Sequence, residues 1–165
     1  MTDNIWNTIK HKKLDDIIHI GVVDFEDKIA EVTTFHTHLF LEVGQVFVKL
    51  ESIEQYSRLK TSITKEVDFT FDFEIEEEMS LCKYSAANVY MTSSLADNKI
   101  DSITFYGAES VSNQIECLAL SIKLDNGQVL FFDPTYLFGI KVGSIKEIDK
   151  FIENSSNHEI SITKL

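Results

Sequence analysis

The sequence predicts an α+β fold, mostly antiparallel β-sheet arranged as a sandwich or strongly curved sheet, with short N-terminal and C-terminal helices. Three observations carry this prediction. The stretch VDFTFDFEIEEEM, residues 67–79, alternates apolar and acidic side chains with period two, the pattern of a strand with one buried face. Asp125-Asn126-Gly127 separates two apolar runs, and Asn-Gly favours the positive backbone angles of a tight hairpin turn. Helical spacing is concentrated near the two ends and nothing alternates as βαβ, which gives the class α+β.

In chain order, Ile5, Trp6 and Ile9 follow Asp3 and Asn4 and predict a short N-terminal helix. Strand-like segments follow at 17–24, 29–35, 38–43 and 46–51. Ser52-Ile53-Glu54-Gln55 reads as a capping box that opens a short helical turn. The acidic strand at 67–79 comes next, with Val67, Phe69, Phe71, Phe73 and Ile75 as its core face. Residues 81–91 carry no decisive pattern. A strand at 103–108 precedes the hairpin around Asn126. Finally Ser144 stands three residues before Glu147, a capping box ahead of Ile145, Ile148, Phe151 and Ile152 on one helical face.

With 165 residues, the chain is long enough for one domain, 1–165, with a sizeable core. Its hydrophobic share of 44% suits a folded domain. No run of about 18 apolar residues predicts a membrane helix. The N-terminus lacks the basic-then-apolar pattern of a secretory signal, so the expected location is cytoplasmic. Cys82 and Cys117 lie far apart in apolar surroundings and read as reduced core residues.

The net charge of −12 narrows the functional classes. Nucleic-acid binding draws affinity from neutralised phosphates, and this chain, with Arg58 as its only arginine, would repel them. Direct nucleic-acid binding is therefore not expected. Acidity is also uneven, because residues 66–78 hold seven carboxylates and no base. Such a row is either a solvated face or a docking surface for a basic protein.

Catalytic templates fit poorly. There is no Gly-x-Ser-x-Gly elbow, glycine-rich phosphate loop or His-Glu-x-x-His. Asp72 and Glu74 share a face, but an acid/base pair needs unlike environments to separate its pKa values, and a row of exposed carboxylates supplies like ones. The strongest chemical motif is TFHTHLFLEVG. On a regular strand His36, His38 and Glu42 share one side, and their spacing resembles the first metal-binding motif of cupins. That resemblance implies a centre for iron, manganese or zinc. The sequence departs from the pattern at Ala30, where a glycine is expected, and Gly44 comes early. The only proline, Pro134, has no histidine after it until His158. The leading expectation is therefore no metal and no cofactor, with the cupin-like centre as the alternative.

Taken whole, the chain resembles the immunity proteins of bacterial contact-dependent growth inhibition systems. The resemblance rests on its size, on VDFTFDFEIEEE, and on DSITFYGAES and IECLALSIKLDNGQVLFFDPTYLFG in the second half. It implies a non-catalytic inhibitor whose partner is a cognate toxin domain, such as a nuclease. It further implies possible sheet extension by a toxin hairpin, as in some members of that group. The charge argument agrees without the family, since a nuclease must present a basic cleft and a carboxylate row complements it. The expected contacts are Asp68, Asp72, Glu74, Glu76, Glu77 and Glu78, with Tyr84, Tyr90 and Tyr106 as aromatic anchors. An acidic binding module with no toxin partner is the remaining alternative.

Overall fold

The computed structural model describes residues 5–68, 74–92, 97–109, 113–137, 139–155 and 159–165. Its strands, in chain order, are β1 (Leu14–Asp24), β2 (Glu31–Val43), β3 (Val46–Ile53), β4 (Arg58–Thr64), β5 (Met79–Ser85), β6 (Ile100–Tyr106), β7 (Gln114–Cys117), β8 (Ala119–Leu124), β9 (Val129–Tyr136), β10 (Gly139–Gly143) and β11 (Ile162–Lys164). Among the described residues there are also two short helices, α1 (Ala87–Tyr90) and α2 (Ile145–Asn154), and 3₁₀ turns at Ile5–Thr8 and Glu26–Lys28. The strands form two antiparallel sheets, ordered β5-β1-β2-β3-β4-β7 and β10-β9-β8-β6-β11. The α+β class predicted from the sequence is the class observed.

The sheets face each other across one apolar core. Alternate residues of each strand point inward, so Ile17, Leu39, Leu41, Val48, Leu50 and Leu59 meet Ile103, Phe105, Leu120, Ile122 and Phe132. Each such side chain contributes about 1.5–3 kcal/mol relative to exposure. Trp6, fully buried, meets Phe105 edge to face at 5.2 Å between ring centroids, which ties the N-terminal turn to this core.

Each sheet also has a smaller outer cluster. On the second sheet, α2 lays Ile148 and Phe151 over Tyr106, Ala119 and Phe131. The helix starts where the sequence predicts: the Ser144 side chain accepts from the Lys146 N–H, and the Glu147 carboxylate accepts from the Ser144 N–H at 2.7 Å. On the first sheet, Ile18, Ile20 and Phe40 are joined by Phe35, Phe47 and Val67. Val67 lies on the connection from β4 to β5, which are four positions apart in the sheet.

The β8–β9 hairpin forms as predicted, pairing Leu120 with Phe132 and Lys123 with Val129. Only Gly127 of its turn takes a positive φ, +87°. Asn126 instead turns the chain through its side chain, whose Oδ1 accepts from Gln128 N–H at 2.9 Å.

Four local expectations are corrected. The capping-box reading at Ser52 fails because Ile53 and Arg58 are paired across a β3–β4 hairpin. Glu54, Gln55 and Tyr56 all take positive φ in its turn, which is incompatible with a right-handed helix. The acidic strand is not regular where it is described: residues 67–68 and 74–78 lie outside any strand, and pairing begins at Met79. Its middle, 69–73, including Asp72, lies outside the described residues. Segments 29–35 and 38–43 are one strand, β2, interrupted by a bulge in which residues 35–38 stand opposite Ile20 alone. Both cysteines are free, but Cys82 is only half-buried on β5, whereas burial pushes the Cys117 thiol up to about 12.

Candidate interaction surface

The β2 bulge divides the first sheet into two parts. Below it β1 and β2 carry core residues. Beyond it Gly21 to Asp24 pair with Thr34 to Glu31 on one side and with Cys82 to Met79 of β5 on the other. None of residues 19–35 enters the inter-sheet core, so β1, β2 and β5 overhang the second sheet. The strands approach closely here. A Cβ on Gly21 would sit 2.2 Å from the Thr33 carbonyl oxygen, which only glycine avoids.

The overhang is apolar at its tip and acidic around it. Phe25 is 53% exposed, Ile29 64% and Val32 55%, with Ile75 and Leu81 also exposed nearby in the chain or ladder. The tip turn is held by Asp24, whose carboxylate accepts from Glu26 N–H at 2.8 Å. Phe25 N–H donates to the Glu78 carbonyl, which ties the acidic segment to the tip. Glu26, Asp27 and Glu31 are exposed on the tip itself, and Glu74, Glu76, Glu77 and Glu78 are exposed on the segment that the Glu78 carbonyl ties to it. Large exposed apolar groups rimmed by charge mark interaction surfaces. Along one side, β5 is an edge strand: among the described residues only β1 pairs with it.

Where the overhang begins, a polar aromatic cluster fills the angle between the sheets. His19, 6% exposed, has its Nε2 2.9 Å from the Tyr90 hydroxyl. Its ring lies 5.5 Å from that of Tyr84 and 6.1 Å from that of His36. The Tyr84 hydroxyl is hydrogen-bonded to Thr34 Oγ1. Burial, assisted by the charge of His36, holds His19 below the ordinary histidine value, so the ring is neutral at pH 7. Burial and neighbouring Tyr84 push the Tyr90 hydroxyl up.

No family model, curated protein or solved structure matches this chain. The chemistry of its surfaces therefore stands on their own geometry.

The structure gathers some of the sequence-derived candidates and disperses others. Glu74, Glu76, Glu77 and Glu78 form the exposed lead-in to β5, and Tyr84 lies on β5 itself, 39% exposed. Tyr90 is half-buried behind it, bonded to His19. Tyr106 is corrected: it is buried beneath α2 against Phe131 and Phe151, so it offers no ring to a partner. Asp68 is half-buried and acts electrostatically on His38.

The cupin-like set is also corrected. The bulge breaks strand parity between His36 and His38. His36 turns toward His19 on the inner side. His38 is buried on the outer side, 3.6 Å from Glu51, where burial outweighs the pull of Glu51 and holds its pKa below the ordinary value. Glu42 shares the side of His38 but is four residues further along the strand, about 13 Å at strand rise. Among the described residues no three His, Cys, Asp or Glu side chains are grouped as a metal site.

Sequence reasoning missed Phe25, Ile29 and Val32 as surface groups. Their signal was the hydrophobic-acidic mixture of DFEDKIAEV, which reads as strand and turn unless one knows that no sheet among the described residues covers it.

Proposed function

We propose that this chain is a non-catalytic inhibitor of the immunity type, which binds a basic toxin domain, such as a nuclease, in the cytoplasm. The observation that carries the reading is the overhang itself. It combines exposed apolar anchors at the β1–β2 tip with exposed carboxylates and an edge of β5 that no other strand among the described residues pairs with. Apolar anchors supply lasting affinity, whereas rim charge sets the association rate and excludes acidic partners. A toxin strand added to β5 would bond through main-chain groups, with acidic residues at the start of the strand to meet its positive charge.

The test is co-expression with candidate basic toxin domains, beginning with any that a gene adjacent to this chain's encodes. Growth should be rescued, and purification should yield a stoichiometric complex that survives gel filtration. Toxicity undiminished by folded inhibitor, with no complex at micromolar concentrations, would reject the proposal.

A further inference from the structure

Between the β2 bulge and β10, next to the His19 cluster, lies a cavity of about 450 Å³, within the usual small-ligand range of about 300–1,000 Å³. It is lined by His36, Tyr90, Tyr136, Ile140, Lys141 and Val142. The fold builds this space deliberately at one point. Gly139 has φ +126°, and a Cβ there would lie 2.2 Å from the His36 carbonyl oxygen. Glycine lets β10 press against the bulge, and the cavity opens beside that contact.

The lining is unlike the rest of the molecule in charge. The chain carries 27 acidic and 15 basic residues, yet among the described residues no carboxylate lines this cavity, while Lys141 and His36 do. The Lys141 ammonium stands over the Tyr136 ring, 5.7 Å from its centroid. Lys141 also borders a neighbouring hollow with Asp133 and Glu147, so part of its field is shared. The Tyr90 wall is braced from behind by His19, which does not itself line the cavity, and among the described residues His19 Nδ1 is buried with no hydrogen-bond partner. Unsatisfied buried groups are rare in native folds and concentrate at functional positions.

We propose that this cavity is a binding site for a small aromatic carboxylate, its ring against Tyr90 and Tyr136 and its carboxylate at Lys141 and His36. The aromatic walls select a flat apolar body. The basic lining selects a negative head, because a charge-assisted hydrogen bond is roughly twice as strong as a neutral one. This site is independent of the toxin-binding reading.

The test is amide and aromatic NMR titration of the full chain with 4-hydroxyphenylacetate, its neutral amide and tyramine as probes. Wild-type protein should show saturable shifts at His36, Tyr90, Tyr136 and Lys141 with the acid. The amide should bind at least about tenfold more weakly, and tyramine should not bind. Lys141→Gln, at an exposed position whose amide spectrum reports folding, should weaken the acid at least about tenfold. Absence of saturable shifts up to about 10 mM acid, equal binding of acid and amide, or unchanged affinity in Lys141→Gln would each overturn the assignment.

Discussion

His19 and His38 are two buried imidazoles with different surroundings and the same direction of shift. His19 is held down by burial and by His36, and His38 by burial against the opposing carboxylate of Glu51. In the unfolded chain both titrate near about 6.5. Just below that pH the unfolded state therefore binds more protons, so their stabilisation is complete above about 6.5 and is lost as pH falls toward the folded values. The urea midpoint should drop between about pH 7 and pH 5. His19→Asn should flatten part of that slope and the double variant with His38→Asn more of it. An unchanged slope in the double variant would assign the acid sensitivity to other groups.

Strand β5 is the element on which the binding proposal turns. Its exposed pattern and its single neighbour among the described residues leave alternate N–H groups facing away from β1. Proline removes an N–H and fits only where the ladder does not need it. Scanning proline across β5 should give two classes of variant. Where the N–H bonds to β1 the protein should lose stability, and where it faces outward the fold should survive while toxin binding falls at least about tenfold. If outward-facing prolines leave binding intact, the partner docks by side chains alone. Helix α2 plays no such part. Its capping box and its burial of Ile148 complete the second sheet's outer face, and loss of the Ser144 hydroxyl would cost about 1 kcal/mol.

At the scale of the molecule, charge and overhang act together. The seven carboxylates of residues 66–78 sit in a chain of net charge −12, and the described ones from Glu74 onward reach solvent beside the β1–β2 tip. Replacing Glu74, Glu76, Glu77 and Glu78 with glutamine keeps size and leaves every described core contact in place. Association with the toxin should slow by at least about tenfold at low salt. The difference should vanish near 1 M salt, where the Debye length is about 3 Å. Stopped-flow association across a salt series measures both. Equal rates at low salt would reduce the acidic segment to a solvated face.

What the sequence determined by itself is what acts over a few residues. The Asp125-Asn126-Gly127 hairpin, the Ser144 cap of α2 and the mostly antiparallel class follow from turn chemistry, capping and the order of strand-like segments. Tertiary structure decided which faces are covered, because that depends on segments distant in sequence. Period two cannot distinguish Tyr106, shut beneath α2, from Tyr84, left on an edge. It cannot foresee that β4 and β3 close into a hairpin where a capping box is written, or that the strand opposite Ile20 carries extra residues at 35–38. That bulge sends His36 and His38 to opposite sides, ends the inter-sheet core and begins the overhang. It arises from pairing β2 against β1, β3 and the second sheet at once, a demand no local stretch of the chain records.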